Sequence, residues 1–277
     1  MSRIAAIQMC SSHLVEDNLN TAKRFIEMAA ENKAKLIVLP EMFAIIGLKP
    51  GDAVAAKETY GSGIIQSFLS EQAKAHNCWI LGGTIPISCQ DQSKVRAASL
   101  LYNHKGEVAA RYDKIHLFDV VLSPDESYKE SNHIEPGNEL IVVDTPVGKL
   151  GLGVCYDIRF PEMFRYLFNQ GAEIIALPSA FTVKTGSAHW EVLSRSRAIE
   201  NFAYFIGAAQ GGTHTGGRKT FGHSLIVEPW GSIVAKIDGT EPGVIYTDIN
   251  LEKLNEIRQS IPVSEHQKIV FDITNLR

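Results

Sequence analysis

Apolar residues in this chain fall into short dense runs, separated by segments in which they recur every three or four positions. RIAAIQM near the start reads as a strand. With Asp17 as an N-cap, Leu19, Ala22, Phe25, Ile26, Ala29 and Ala30 share one helical face. AKLIVLPEMF is a near-continuous apolar strand stopped at Pro40. Ile64–Ala75 has helical spacing, and CWILGGTIPI reads as one strand. SLLYNHKGEVAARYDK is a hairpin turning at residues 104–106. KLGLGVC predicts a strand, PEMFRYLFNQGA a helix with proline early and glycine late, and EIIALPSA another buried strand. Residues 187–201 are helical, YFIGAAQ, GHSLIVEP and GVIYTDI are strands, and NLEKLNEIRQ closes as a helix. Long apolar strands alternating with amphipathic helices predict an α/β fold whose strands are covered on both faces. No linker, low-complexity tract or repeat divides residues 1–277, so a single domain is expected.

Composition narrows the class. Hydrophobic residues make up 45% and charged residues 21%, as in an ordinary globular protein, and the net charge is −4. That mild acidity gives no reason to expect nucleic acid or an anionic membrane as partner. No apolar run approaches the ~18 residues that cross a bilayer, and the N-terminal run is too short for a signal segment, so a cytoplasmic location is expected. Cys10, Cys78, Cys89 and Cys155 form no CxxC pair, which argues against zinc and against a disulfide framework. For Cys10, Cys78 and Cys89 the expectation is that of inert small hydrophobes.

Ligand sites in α/β sheets lie beyond the carboxyl ends of strands. Three reactive side chains stand just past apolar strands: Glu41 after LIVLP, Lys114 after VAARYD and Cys155 after LGLGV. A thiol needs a nearby cation or a helix N-terminus to be a good nucleophile at neutral pH. Lys114 supplies the cation, and a helix starting near residues 160–161 adds its positive end. Glu41 can take the thiol proton and return it to a leaving amine. Spacing alone leaves open that the three residues are unrelated.

LPEMF around Glu41, RYDKIHLFD around Lys114 and GVCYDIRFPEMF around Cys155 resemble the three signature segments of the carbon–nitrogen hydrolase superfamily, the nitrilase-like amidases. The resemblance spans nearly the whole chain in the right order. It implies a four-layer αββα sandwich, a Glu–Lys–Cys triad, no metal or other cofactor, and amide hydrolysis through a thioester. It assigns Glu41 as general base and acid, Lys114 to the oxyanion and Cys155 as nucleophile. YKESNHIEPG points to Glu130 as an additional catalytic carboxylate, ahead of Glu126 and Glu135. The backbone N–H of Tyr156 then faces the oxyanion.

PSAFTVKTGSAHWEVLSRSRAIEN, GAAQGGTHTGGRKTFGHSLIVEPWG and EIRQSIPV look like the branch that holds deaminated glutathione amidase and ω-amidase. That branch implies a small 2-oxo-acid amide and water as reactants, with an arginine on the carboxylate. Arg159 fits that task, with an ion pair to Glu162 or Asp157 as its plainer alternative. Phe181 and Thr182 are expected in the same pocket, and the glycine-rich 211–219 loop is expected to be mobile and to reach a larger substrate. An N-carbamoyl amino acid hydrolase is a further enzymatic reading. A catalytically silent scaffold would carry a broken triad, which this sequence does not. GLGV lacks the spacing of a dinucleotide fingerprint, and no GxSxG elbow surrounds Ser179 or Ser224. His189, His214 and His223 form no metal motif. The apolar content of Met163, Phe164, Tyr166, Leu167, Phe168 and Trp190 exceeds one core-facing stripe, and with the resemblance it predicts at least a homodimer.

Overall fold

Ile4, Ala5, Ala6 and Ile7 are all fully buried, yet they face two different interiors. Ile4 and Ala6 pack with Leu150, Leu152 and Ile174 from far along the chain, whereas Ala5 and Ile7 pack with Ala22, Ile26 and Ala29. Successive side chains on a strand point to opposite faces, so this alternation places one sheet between a second sheet and a helical layer. In the computed structural model, which describes residues 2–49 and 51–269, these layers make an αββα sandwich.

The first half runs β1 (Ser2–Gln8), α1 (Val15–Glu31), β2 (Leu36–Val38), α2 (Asp52–Ala55), α3 (Ile64–Ala75), β3 (Trp79–Leu81), β4 (Ile85–Ser88), β5 (Val95–Tyr102) and β6 (Val108–Asp113). A hairpin of β7 (Asp119–Ser123) and β8 (Glu126–Lys129) leads into β9 (Val142–Thr145), β10 (Gly148–Leu152), α4 (Pro161–Asn169) and β11 (Ile174–Ala176). There follow α5 (Val183–Thr185), α6 (Glu191–Asn201), β12 (Tyr204–Gly207), the hairpin β13 (Gly211–Thr213) with β14 (Lys219–Phe221), β15 (Leu225–Val227), β16 (Ile233–Lys236), β17 (Gly243–Ile249) and α7 (Leu251–Ser260). One sheet has the order β17-β1-β2-β3-β5-β4 with β6 on β5, the other β16-β15-β12-β11-β10-β9. At the heart of each lie three parallel strands, β1–β2–β3 and β10–β11–β12. α1 and α3 cover the first sheet, α4 and α6 the second.

Four details differ from the pattern reading. The first helix begins at Val15 without a side-chain cap, and Asp17 lies inside its first turn. Asn18 does the anchoring instead, exchanging hydrogen bonds with Ser12 and donating to the Ala44 carbonyl. CWILGGTIPI is two strands, because Gly83 adopts φ +51° and a side chain there would stand 2.0 Å from the Pro40 carbonyl oxygen. The helix expected from residue 187 starts earlier, passing from α5 through a π turn (Gly186–Trp190) into α6. Met163, Phe164, Leu167, Phe168 and Trp190 are already buried within the chain, so they form no spare apolar face.

The two sheets are tied together near their strand ends by one buried carboxylate. Asp157, just past β10, accepts from the Tyr112 hydroxyl of β6 at 2.7 Å, the Val154 N–H at 2.8 Å and the His116 N–H at 3.1 Å. His116 Nδ1 lies 2.7 Å from it as well. Deleting the carboxylate strands several buried donors at once, each costing about 1–3 kcal/mol. Asp157→Ala should therefore lose about 3 kcal/mol or more of stability, read as a lower Tm. A Tm within about 2 °C of the parent would contradict this role.

Candidate active site

Three strand ends converge where the sheets meet. Glu41 follows β2 after Pro40, and its loop is pinned from three sides. Thr84 Oγ1 accepts from the Met42 N–H at 2.9 Å, Gln210 Nε2 donates to the Glu41 carbonyl at 3.1 Å, and Leu39 N–H donates to Leu81. Met42 is held at φ +57°. Lys114 follows β6, with its N–H on the Ala97 carbonyl and its own carbonyl accepting from Gly137. Cys155 follows β10 at φ +48°, a left-handed conformation rare outside glycine and asparagine. Its N–H is held by the Pro178 carbonyl at 2.9 Å. The thiol opens a 3₁₀ turn (Cys155–Arg159), and only after it does Pro161 start α4, so the α-helical N-terminus is not directly behind the sulfur. Arg197 of α6, itself buried, fastens that turn by donating to the Ile158 carbonyl at 2.8 Å.

At the centre is the Lys114 ammonium, 2% exposed. Its Nζ lies 2.8 Å from Glu41 Oε1 and 2.9 Å from both oxygens of Glu130. Burial pulls the lysine pKa down, but the charges of Glu130, Glu41 and Cys155 outweigh it and raise the pKa well above the ordinary value. Lys114 is therefore a fixed cation. Glu130 is oriented in turn by the Phe118 N–H at 2.6 Å. Glu126 instead meets the Tyr128 hydroxyl and Glu135 pairs with Arg96, so neither joins this group.

Burial and then the Glu41 charge raise the Cys155 pKa well above an ordinary thiol, and Lys114 and the Ala180 N–H pull it down without prevailing. A thiolate would add a further negative charge beside the Glu41 and Glu130 side chains in a largely buried site. The resting thiol is thus neutral, contrary to the sequence expectation that Lys114 would hold it ionised. Glu41 is the carboxylate whose charge acts most strongly on the sulfur.

These groups line the inner end of a cavity of about 640 Å³. Tyr156, Phe181 and Thr182 are among the residues that line it. The Thr182 hydroxyl also caps α5, accepting from the Thr185 N–H at 3.3 Å. Phe118, Tyr128, Thr185 and Arg218 line it too. No strand-end pattern marks these four, since they arrive on hairpins and turns. Arg159 stands outside the lining, its guanidinium 5.8 Å from the centres of the Tyr156 and Phe181 rings and 3.2 Å from His189 Nδ1. It pairs with neither Glu162 nor Asp157. Of the other cysteines only Cys78 is core, since Cys10 is exposed and Cys89 half-buried. Among the described residues no group of three or more His, Cys, Asp or Glu is placed to hold a metal ion, and no helix is long and apolar enough to cross a membrane. Subtracting the Cys155→Ala spectrum from the wild-type spectrum should reveal no thiolate absorbance near 240 nm at pH 7 to 8. A clear thiolate band there would overturn the neutral-thiol assignment.

The family described as carbon-nitrogen hydrolase matches this chain over residues 3–259. A deaminated glutathione amidase of Yersinia enterocolitica is 39% identical across 97% of this chain and 94% of its own length. An ω-amidase of Homo sapiens is 38% identical across 96% and 95% respectively. The solved structure of Nit3 from Saccharomyces cerevisiae, a nitrilase-superfamily member, superposes with a TM-score of 0.86 at 30% identity, covering 97% of each chain. With its matched span, its sandwich and its strand-end groups, this chain belongs to the carbon–nitrogen hydrolase family and is a hydrolase of carbon–nitrogen bonds other than peptide bonds.

Proposed function

We propose that the protein is a cysteine-dependent amidase acting on a small 2-oxo-acid amide, with deaminated glutathione foremost. The observation carrying this reading is the Lys114 ammonium held by the Glu41 and Glu130 carboxylates in a cavity that Cys155 also lines. As Cys155 Sγ attacks the amide carbon, its proton passes to Glu41. The carbonyl oxygen becomes an oxyanion facing the Lys114 ammonium and the Tyr156 backbone N–H. Collapse breaks the C–N bond, and the departing amine takes the proton back from Glu41, leaving a thioester. Water then gives a proton to Glu41 and attacks. Collapse of the second intermediate releases the acid and returns the proton to sulfur. Glu130 takes part by holding the Lys114 ammonium with both of its oxygens at 2.9 Å.

On the substrate, Arg159 is the proposed receptor for the 2-oxo-acid carboxylate. It lies against the two rings lining the Cys155 side of the cavity, and His189 is its sole side-chain hydrogen-bond partner among the described residues. An ω-amidase acting on α-ketoglutaramate or α-ketosuccinamate is the second reading, favoured by the nearly equal identity to such an enzyme. The test is a rate panel on these amides and on an N-carbamoyl amino acid. Deaminated glutathione should show the highest kcat/KM, Cys155→Ala no turnover, and Glu41→Gln or Lys114→Met a loss of ~10²-fold or more. Arg159→Lys should cost the 2-oxo acids about tenfold to a hundredfold in kcat/KM. Substantial turnover by Cys155→Ala, or preference for the carbamoyl compound, would refute the proposal.

A homodimer is also proposed. The exposed Val192 and Ile199 of α6 and the 59% exposed Trp230 form an apolar stretch beside the Phe202 ring. Light scattering at micromolar concentration should give at least twice the chain mass, and a single-chain mass would exclude the dimer.

A further inference from the structure

Most arginines in this protein are visibly occupied. Arg3, Arg96, Arg111 and Arg197 each meet a carboxylate, while Arg165, Arg195 and Arg258 donate to main-chain carbonyls at 2.6 to 2.9 Å. Arg218 is different. One terminal nitrogen lies 3.6 Å from the Met42 thioether, the other 3.4 Å from the Ala180 carbonyl, and the buried Nε has no partner. Among the described residues no carboxylate is within ion-pair distance of it, and the nearest aromatic is the Tyr128 ring at 5.8 Å. A guanidinium half-withdrawn from water with so few hydrogen bonds is costly unless an anion completes it. Arg218 lines the same cavity as Cys155, so a ligand can reach it.

The segment carrying it is built to hold it there. The 211–219 loop, expected to be mobile, is a paired hairpin. β13 and β14 are in register, and the turn is closed by His214 N–H on the Arg218 carbonyl and Gly217 N–H on the His214 carbonyl, both 2.8 Å. His214 is buried, neutral because burial lowers its pKa, and anchored to the Ser11 carbonyl and the Thr220 hydroxyl, both at 2.8 Å. Gly216 packs so closely on Leu48 that a side chain would approach its Cα to 3.0 Å.

The direction in which Arg218 faces identifies the group it meets. Met42 adjoins Glu41, the residue proposed to protonate the leaving amine, so the amine half of the substrate must pass on this side of the sulfur. Arg159 stands outside the lining, against Tyr156 and Phe181. We infer that Arg218 receives a carboxylate carried on the amine half of the substrate, so that the site selects an amide whose leaving group is an acidic, peptide-like amine over one that releases ammonia. The inference rests on the amidase reading above. It requires no new chemical step, since a guanidinium–carboxylate pair forms and dissolves with binding and release.

The experiment compares two amides of the same 2-oxo acid, deaminated glutathione and α-ketoglutaramate, together with deaminated glutathione whose glycine carboxylate is converted to a carboxamide. In Arg218→Gln the ratio of kcat/KM for deaminated glutathione to that for α-ketoglutaramate should fall about tenfold to a hundredfold, mainly through KM. Wild-type enzyme should lose a similar factor on the carboxamide, and Arg218→Gln should lose little more on it, because each change removes the same ion pair. Arg218→Lys should recover part of the loss. Equal loss on both amides in Arg218→Gln, or wild-type enzyme indifferent to the glycine carboxylate, overturns the inference while leaving the amidase reading intact. If wild type hydrolyses neither amide, the amidase reading fails and this inference falls with it.

Discussion

The rest of the site depends on one buried ammonium. Lys114 cannot be placed in a nearly water-free position without anionic neighbours, and Glu41 and Glu130 meet it from two sides at 2.8 and 2.9 Å. That requirement brings together residues 73 and 16 positions away in the chain. It also sets the charge state of everything nearby. With two carboxylates to one ammonium, the pocket has no room for another anion until a substrate arrives, so Cys155 rests as a thiol. In the proposed mechanism the attack is then coupled to proton transfer to Glu41 rather than to a pre-formed ion pair.

Holding three charged groups and a thiol in register demands backbone conformations that ordinary strands and helices do not provide. Met42 and Cys155 both adopt positive φ directly after or at the reactive residue. Gly83 does the same where the Glu41 loop passes so close that only a hydrogen fits. Each such position costs of order 1–3 kcal/mol when occupied by a residue with a side chain. The surroundings that enforce them are rigid: parallel strands on both sides, the Asp157 junction between the sheets, and Arg197 reaching from α6 to the turn that begins at Cys155. Two of the six non-glycine positive-φ residues among those described thus lie just past β2 and β10, where the chemistry is proposed.

Much of this was legible from pattern alone, because fully buried parallel strands and amphipathic helices announce themselves by periodicity. Helix Ile64–Ala75, the hairpin of β5 and β6, and the placement of Glu41, Lys114 and Cys155 past strand ends all follow from it. Glu130 is pointed to by resemblance rather than by pattern, and it lies 2.9 Å from Lys114 Nζ. What pattern could not reveal has physical causes. The break at Gly83 depends on a neighbour in space, the Pro40 carbonyl. The charge state of Cys155 depends on the sum of its neighbours rather than on any one of them. Phe118, Tyr128 and Arg218 come from short hairpins whose strands are partly exposed, so they lack the apolar runs that make a strand readable. The apolar residues of α4 looked surplus because the sequence does not say that both α6 and the second sheet bury them.

The division between strand ends and hairpins also bears on how one scaffold serves several amides. The relatives named as a deaminated glutathione amidase and as an ω-amidase are 39% and 38% identical to this chain, so overall similarity does not separate their substrates. Glu41 and Cys155 sit past the ends of the central strands β2 and β10, where a shift would disturb a sheet and the Lys114 pairing at once. Other parts of the lining, the segment carrying Phe181 and Thr185 and the β13–β14 hairpin carrying Arg218, lie outside the two central sets of parallel strands. A cation in that part of the lining, Arg218, is proposed to act on whatever the amine half carries. Substrate preference and bond-breaking are therefore separable in this architecture. The place to seek the preference is the partner each outer side chain lacks, not the triad.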